Sequence, residues 1–186
     1  MLQEIIVPSD SAANPSHARG DANPVLAAAL AVTVIAAATL AGAWFFQLVL
    51  DIRPCPLCLE QRYAYYLAVP LALVVALAAA RGAPKSLLLA GFAVLLLAAL
   101  ANAWLGGYHA GVEWKFWEGP TDCSGPVVDL GSAGTLLQRL DSVKVIRCDE
   151  VQWRFLGLSL AGYNVLISLA MAAIAAWGLV SAKRAV

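Results

Sequence analysis

The sequence predicts an all-α membrane protein, a four-transmembrane-helix bundle with a short amphipathic helix in the long connection between the third and fourth spans. Three observations point there. Of the 186 residues 61% are hydrophobic and 13% charged, roughly half the ~25% charged share of an ordinary soluble domain. Four runs, residues 22–50, 63–80, 86–112 and 155–182, contain no Asp, Glu, Lys or Arg. Each supplies the ~20 apolar residues of a bilayer-crossing helix, and the alternation of a membrane barrel is absent.

Residues 1–24 form a polar tail containing Pro8, Pro15 and Pro24 and are expected to be disordered. The domain proper is expected over 25–182, with spans at about 25–49, 61–80, 86–109 and 153–181, and a tail at 183–186. The first span lacks a basic stretch before it and exceeds the apolar core of a secretory signal, so it reads as retained. The second contains Pro70, a packing kink. Abundant Ala, with Gly42, Gly91, Gly106, Gly107 and Gly162, lets helix backbones approach where lipid gives no hydrophobic drive. Asn102 and Asn164 are expected to bond between helices. Trp104, Trp114, Trp117 and Trp153 fall near the ends of spans three and four as an interfacial belt. In the last connection, Leu136, Leu137, Leu140 and Val143 share one helical face.

Orientation follows from two signals. "RGAPK" at residues 81–85 and the terminal "SAKRAV" carry basic and no acidic residues, which favours the cytoplasm. All four cysteines, Cys55, Cys58, Cys123 and Cys148, lie in the first and third connections, on the opposite side. Disulfides persist in oxidising compartments, so that side is expected to face away from the cytoplasm. The few basic residues form no patch for nucleic acid.

The stretch "CPLCLEQR" sets a Cys-x-x-Cys pair at the entry to the second span. A helix N-terminus and a nearby cation both lower a thiol's pKa, and Arg62 lies one turn beyond Cys58, so Cys58 is the expected thiolate. Arg62 could also simply snorkel to the headgroups. A four-cysteine zinc site usually comes as two close pairs, which Cys123 and Cys148 do not form, and haem attachment needs His where Leu59 stands. Two structural disulfides remain an alternative.

Four stretches together, "CPLCLEQR", "YH" at Tyr108 and His109, "TDC" ending at Cys123, and "CDEVQWRFLGLSL" from Cys148, closely resemble the bacterial membrane disulfide-forming family DsbB. The resemblance covers essentially everything after the polar tail. It implies an inner-membrane protein with both cysteine loops periplasmic and both termini cytoplasmic. It implies a dithiol:quinone oxidoreductase that reoxidises a periplasmic thioredoxin-fold oxidase, DsbA. The Cys123/Cys148 pair would take electrons from that partner, and the Cys55/Cys58 pair would pass them to ubiquinone or menaquinone. Arg62 would assist quinone reduction, and His109 would lie near the quinone. A quinone acceptor also makes energetic sense: DsbA sits near about −120 mV, whereas structural disulfides lie below about −300 mV, so a plain disulfide relay would run backwards by roughly 8 kcal/mol. Gln61 stands where a well-known relative is acidic, and Ala161 where many members have proline; neither is expected to touch the cysteines or Arg62. The alternatives are a relative dedicated to one specialised partner, or a non-catalytic four-span scaffold.

Overall fold

A computed structural model describes residues 23–120 and 147–184. Four helices dominate: α1 (Pro24–Leu48), α2 (Pro56–Ala80), α3 (Lys85–Glu113) and α4 (Leu160–Arg184), with a two-stranded hairpin, β1 (Arg154–Phe155) and β2 (Leu158–Ser159), before α4. All four helices are long and apolar enough to cross a membrane, with mean hydropathy between 1.9 and 2.3. The protein is a multi-pass membrane bundle.

The helix starts are written locally. Asn23 caps α1, its Oδ1 accepting from the amides of Val25 at 3.1 Å and Leu26 at 3.3 Å, and Pro24 opens the helix where no amide is needed. Cys55 and Pro56 repeat that arrangement at α2. The helix runs through Pro70. Gly82, at φ +67°, makes the left-handed turn that sends the chain from α2 into α3. In the hairpin, Leu156 (φ 49°) and Gly157 (φ 83°) are the two central residues of a tight turn, the positive pair that matches strand twist.

Three boundaries differ clearly from the expected spans. α3, expected to end at about residue 109, runs on to Glu113, because Ala110, Gly111 and Val112 carry no charge to stop it. α2 starts at Pro56, because the proline ring and the Cys55 cap nucleate the helix ahead of the apolar run. The fourth span, expected from residue 153, begins as helix only at Leu160: Leu156 and Gly157 turn the preceding segment into the hairpin, with Arg154 opposite Ser159.

The helices form a closed ring, α3 packing most extensively on α4 and α1 on α2, with α2–α3 and α1–α4 contacts completing it. The packed interior is mostly alanine with Val32, Val75, Phe92, Leu95 and Met171. Small residues set the spacing: a Cβ on Gly106 would come 2.9 Å from Asn164 Nδ2, and one on Gly178 would come 2.3 Å from the Phe92 ring. A buried polar seam crosses the ring. Tyr65 donates to Asn164 Oδ1 at 2.5 Å, and Asn102 Nδ2 donates to the same oxygen at 3.2 Å and to Ser168 at 3.0 Å. The two asparagines thus join α3 to α4 as the sequence suggested. The expected amphipathic helix through Leu136, Leu137, Leu140 and Val143 lies outside the described residues, as do residues 1–22 of the polar tail; the tail's last two residues, Asn23 and Pro24, instead cap and open α1.

Candidate redox site

Cys55 is the N-cap of α2, in an extended conformation that lets its sulfur accept the amide of Cys58 at 3.3 Å. Cys58 follows in the first turn, with its sulfur 2.8 Å from that of Cys55; both are free thiols. The hydrogen bond from the Cys58 side chain, with His109 behind it and against the opposing effect of burial, holds the Cys55 thiol down at about 5. The sequence pointed to Cys58 as the thiolate. The geometry favours Cys55 instead: the Cys58 side chain, then His109 and last the Cys58 amide all meet its sulfur.

His109, near the end of α3, closes the site from the far side. It is 3% exposed. Its Nε2 lies 3.6 Å from Cys55 Sγ and 3.9 Å from Glu113 Oε1, while Nδ1 meets the side-chain amide of Gln61 at 2.9 Å. Gln61 therefore reaches the redox pair through one intervening ring.

Arg62 leaves the cysteines and turns to α1. Its Nη1 donates to Gln47 Oε1 at 2.6 Å, its Nη2 to the Ala43 carbonyl at 3.3 Å, and its guanidinium stands 5.3 Å from the centre of the Trp44 ring. Arg62 thus ties α2 to α1 instead of pairing with Cys58.

Between α1, α2 and α4 lies a cavity of about 630 Å³. Ile35, Ala38, Phe46 and Ile167 give it apolar walls, and Cys55, Cys58, Gln61, Arg62, His109 and Glu113 line the same space. Ala161 lines it too.

Cys148 is buried and disulfide-bonded. Its sulfur, that of Cys55 and a ring nitrogen of His109 all lie within 4.8 Å of one another. With its sulfur in a disulfide, Cys148 brings no thiolate to a metal, so this trio is suited to thiol–disulfide exchange. Beyond it, Asp149 accepts from Arg147 at 2.8 Å and from Lys115 at the end of α3, which fastens the returning chain beside the pair. Cys123 lies outside the described residues.

The profile of the family described as Disulfide bond formation protein DsbB matches residues 26–178. This chain belongs to the DsbB family. Curated relatives agree. Disulfide bond formation protein B of Azoarcus sp. (strain BH72) is 33% identical over 162 residues, covering 80% of this chain and 88% of the relative. The proteins of the same name from Polaromonas sp. (strain JS666 / ATCC BAA-500) and Aromatoleum aromaticum are 30% and 32% identical, covering 82% and 83% of this chain and 88% and 92% of the relatives. The DsbB-family chain is thus a membrane protein of disulfide bond formation.

Of the site residues expected from sequence, Cys55, Cys58, Arg62 and His109 line one cavity, and Cys148 joins them at Cys55. Sequence reasoning passed over Glu113 and Gln47, and named Gln61 only as a departure from a relative, without its bond to His109. One signal was available for Glu113, the acidic residue that ends a charge-free run one helical turn after His109.

Proposed function

We propose that the protein is a quinone-dependent thiol oxidase that regenerates the disulfide of a periplasmic DsbA-like thioredoxin-fold partner. The observation that carries this reading is the position of the Cys55/Cys58 pair: it opens on one side to a largely apolar cavity between the helices and on the other to the Cys148 sulfur.

The relay begins when a partner thiolate attacks Cys123 and expels Cys148 as a thiolate. The partner's second thiol resolves the mixed disulfide and leaves oxidised, so Cys123 and Cys148 now hold its two electrons. Cys148 attacks Cys55, expelling Cys58. Cys123 then attacks Cys148, restoring their disulfide and displacing Cys55. A thiol held at about 5 is a good leaving group, since departure speeds up as the leaving thiol's pKa falls. Cys55 and Cys58 are left reduced.

A quinone bound in the cavity supplies an acceptor for two electrons and two protons. The cavity fits such a group, with apolar walls for a prenyl tail and polar side chains beside Cys58 for a ring. Arg62 and His109 would hold the ring end. Arg62 spends two of its five N–H donors on α1 and keeps others for a carbonyl oxygen. Closing the Cys55–Cys58 bond releases the two electrons and two protons.

The basic residues Arg81, Lys85, Lys183 and Arg184 lie at the helix ends away from the cysteines, which supports a cytoplasmic face there, periplasmic cysteine loops and an inner-membrane location. Purified protein mixed with a reduced thioredoxin-fold oxidase and either ubiquinone or menaquinone tests the whole reading. Stoichiometric loss of quinone absorbance with oxidation of the partner is expected, and Cys58→Ser should abolish it. Partner oxidation that proceeds equally well without quinone would refute the acceptor, and no oxidation at all would favour the scaffold.

A further inference from the structure

Glu113 takes no part in the relay, yet it is buried against it. Its side chain is 6% exposed, and Oε2 has no hydrogen-bond partner. Its other oxygen faces His109 Nε2 at 3.9 Å, the same nitrogen that faces Cys55 Sγ at 3.6 Å. One ring nitrogen is therefore shared between a thiol and a carboxyl group, while the second is engaged by Gln61. The surroundings hold few other charges. Arg154 and the Ser159 hydroxyl face Glu113 from the hairpin, Cys55 lies beyond the imidazole, Cys58 stands beside Cys55, and the Cys148 backbone faces the ring. Arg147 and Glu150 line the same cavity.

A buried carboxylate needs a cation. An imidazole that takes a proton from a thiol becomes one, between two negative groups. We propose that Glu113 and Gln61 are positioning residues that make His109 the acid–base partner of Cys55. Gln61 meets Nδ1 through its amide nitrogen; a half-turn of that amide presents its carbonyl to Nδ1–H instead and leaves the Nε2 lone pair toward the thiol. The proton passes from Cys55 Sγ to Nε2, no electrons move, and the imidazolium so formed lies against both the thiolate and the Glu113 carboxylate. When Cys148 gives up Cys55, the sulfur leaves as that thiolate, against the same imidazolium. Glu113 meets the ring directly and Cys55 only through it, so its charge favours the imidazolium more than it repels the thiolate.

This inference rests on the proposed relay for where the thiolate is used, but the ionisation needs neither quinone nor partner. The test is iodoacetamide alkylation of reduced full-length protein in detergent across pH, read at Cys55 by peptide mass spectrometry. Glu113→Gln should raise the alkylation midpoint by about one pH unit, slowing the reaction at pH 5 about fivefold. Glu113→Asp should restore much of the shift. Gln61→Leu should also raise the midpoint, whereas Gln61→Glu, which still accepts from Nδ1–H, should not. A purely structural role would lower the yield of folded protein and leave the midpoint in place. Unchanged midpoints in Glu113→Gln and Gln61→Leu overturn the proposal; if Glu113→Gln does not fold, an unchanged midpoint in Gln61→Leu does so. Wild-type protein that shows the low midpoint but reduces no quinone would remove the acceptor reading and leave this one standing.

Discussion

Lowering the pH of the alkylation reaction decides which cysteine of the Cys55/Cys58 pair is the resident thiolate. Cys55 is held at about 5, against 9.0 for an ordinary thiol. At pH 6 a thiol of pKa about 9 is about 0.1% ionised and one of about 5 is about 90% ionised, a ratio of roughly 900. Each thiolate of lower pKa is also a weaker nucleophile; with a Brønsted coefficient of about 0.4–0.5 the loss is about 40- to 100-fold. The net advantage at pH 6 is therefore about 10- to 20-fold, and at pH 8 it reverses, because the ordinary thiol is by then about 10% ionised. The diagnostic is thus the shape of the profile and not the speed at neutral pH. Cys55 is only 3% exposed, so its rate is compared with its own plateau. Reduced protein treated with a small alkylating agent between pH 4 and pH 9 should label Cys55 with a midpoint near about 5 and a plateau from above about pH 6. Label accumulating first on Cys58 below pH 7, or a Cys55 rate still rising at pH 9, would refute the assignment of the helix-start donor to Cys55.

Three further outcomes follow from the packing. Arg62→Ala removes the bond to Gln47, the Ala43 contact and the stacking over Trp44, and should lower unfolding free energy in detergent by about 1–3 kcal/mol, with a change in tryptophan fluorescence; a variant of unchanged stability would show that Arg62 does not fasten α2 to α1. Gly178→Val puts a Cβ 2.3 Å from the ring of fully buried Phe92 and should cost about 1–3 kcal/mol by overpacking, checked by thermal unfolding, whereas the same change at Gly42, with open space around it, should cost little. Bonds from Lys115 and Arg147 hold the Asp149 carboxyl at about 2; because the charged form is the favoured one, the network should be complete above the ordinary value of 3.8 and lost as pH falls through about 2. Hydrogen-exchange protection factors at residues 148–150, each corrected for the intrinsic rate at its pH, should then be unchanged from pH 7 to pH 5 and fall below about pH 3. Asp149→Asn should show the lower protection throughout.

The sequence by itself determined the number of spans, that the two cysteine-bearing connections share one end of the bundle, and the family. Those depend on composition and short-range order: charge-free runs force helix in lipid, because the backbone must satisfy its own hydrogen bonds there. The start of α2 was missed, because the span was expected from its apolar run alone while the local signal of Pro56 after Cys55 lies ahead of that run. Tertiary structure decided what the site residues do. Arg62 sits one turn from Cys58 in sequence, yet the partners that satisfy its donors are on α1, so it faces Gln47 and Ala43. Gln61 looked incidental until α3 brought His109 against it, and Glu113 looked like the end of a span until that same ring turned Nε2 toward both the carboxyl and Cys55. Cys148 and Cys55 are far apart in the chain, and their packing into one buried cluster with Leu57 and Val112 places their sulfurs together. A one-dimensional pattern records which residues can share a helix face. Which helix that face meets depends on the small-residue contacts that set the packing, such as Gly106 on Asn164 and Gly178 on Phe92, and these are long-range.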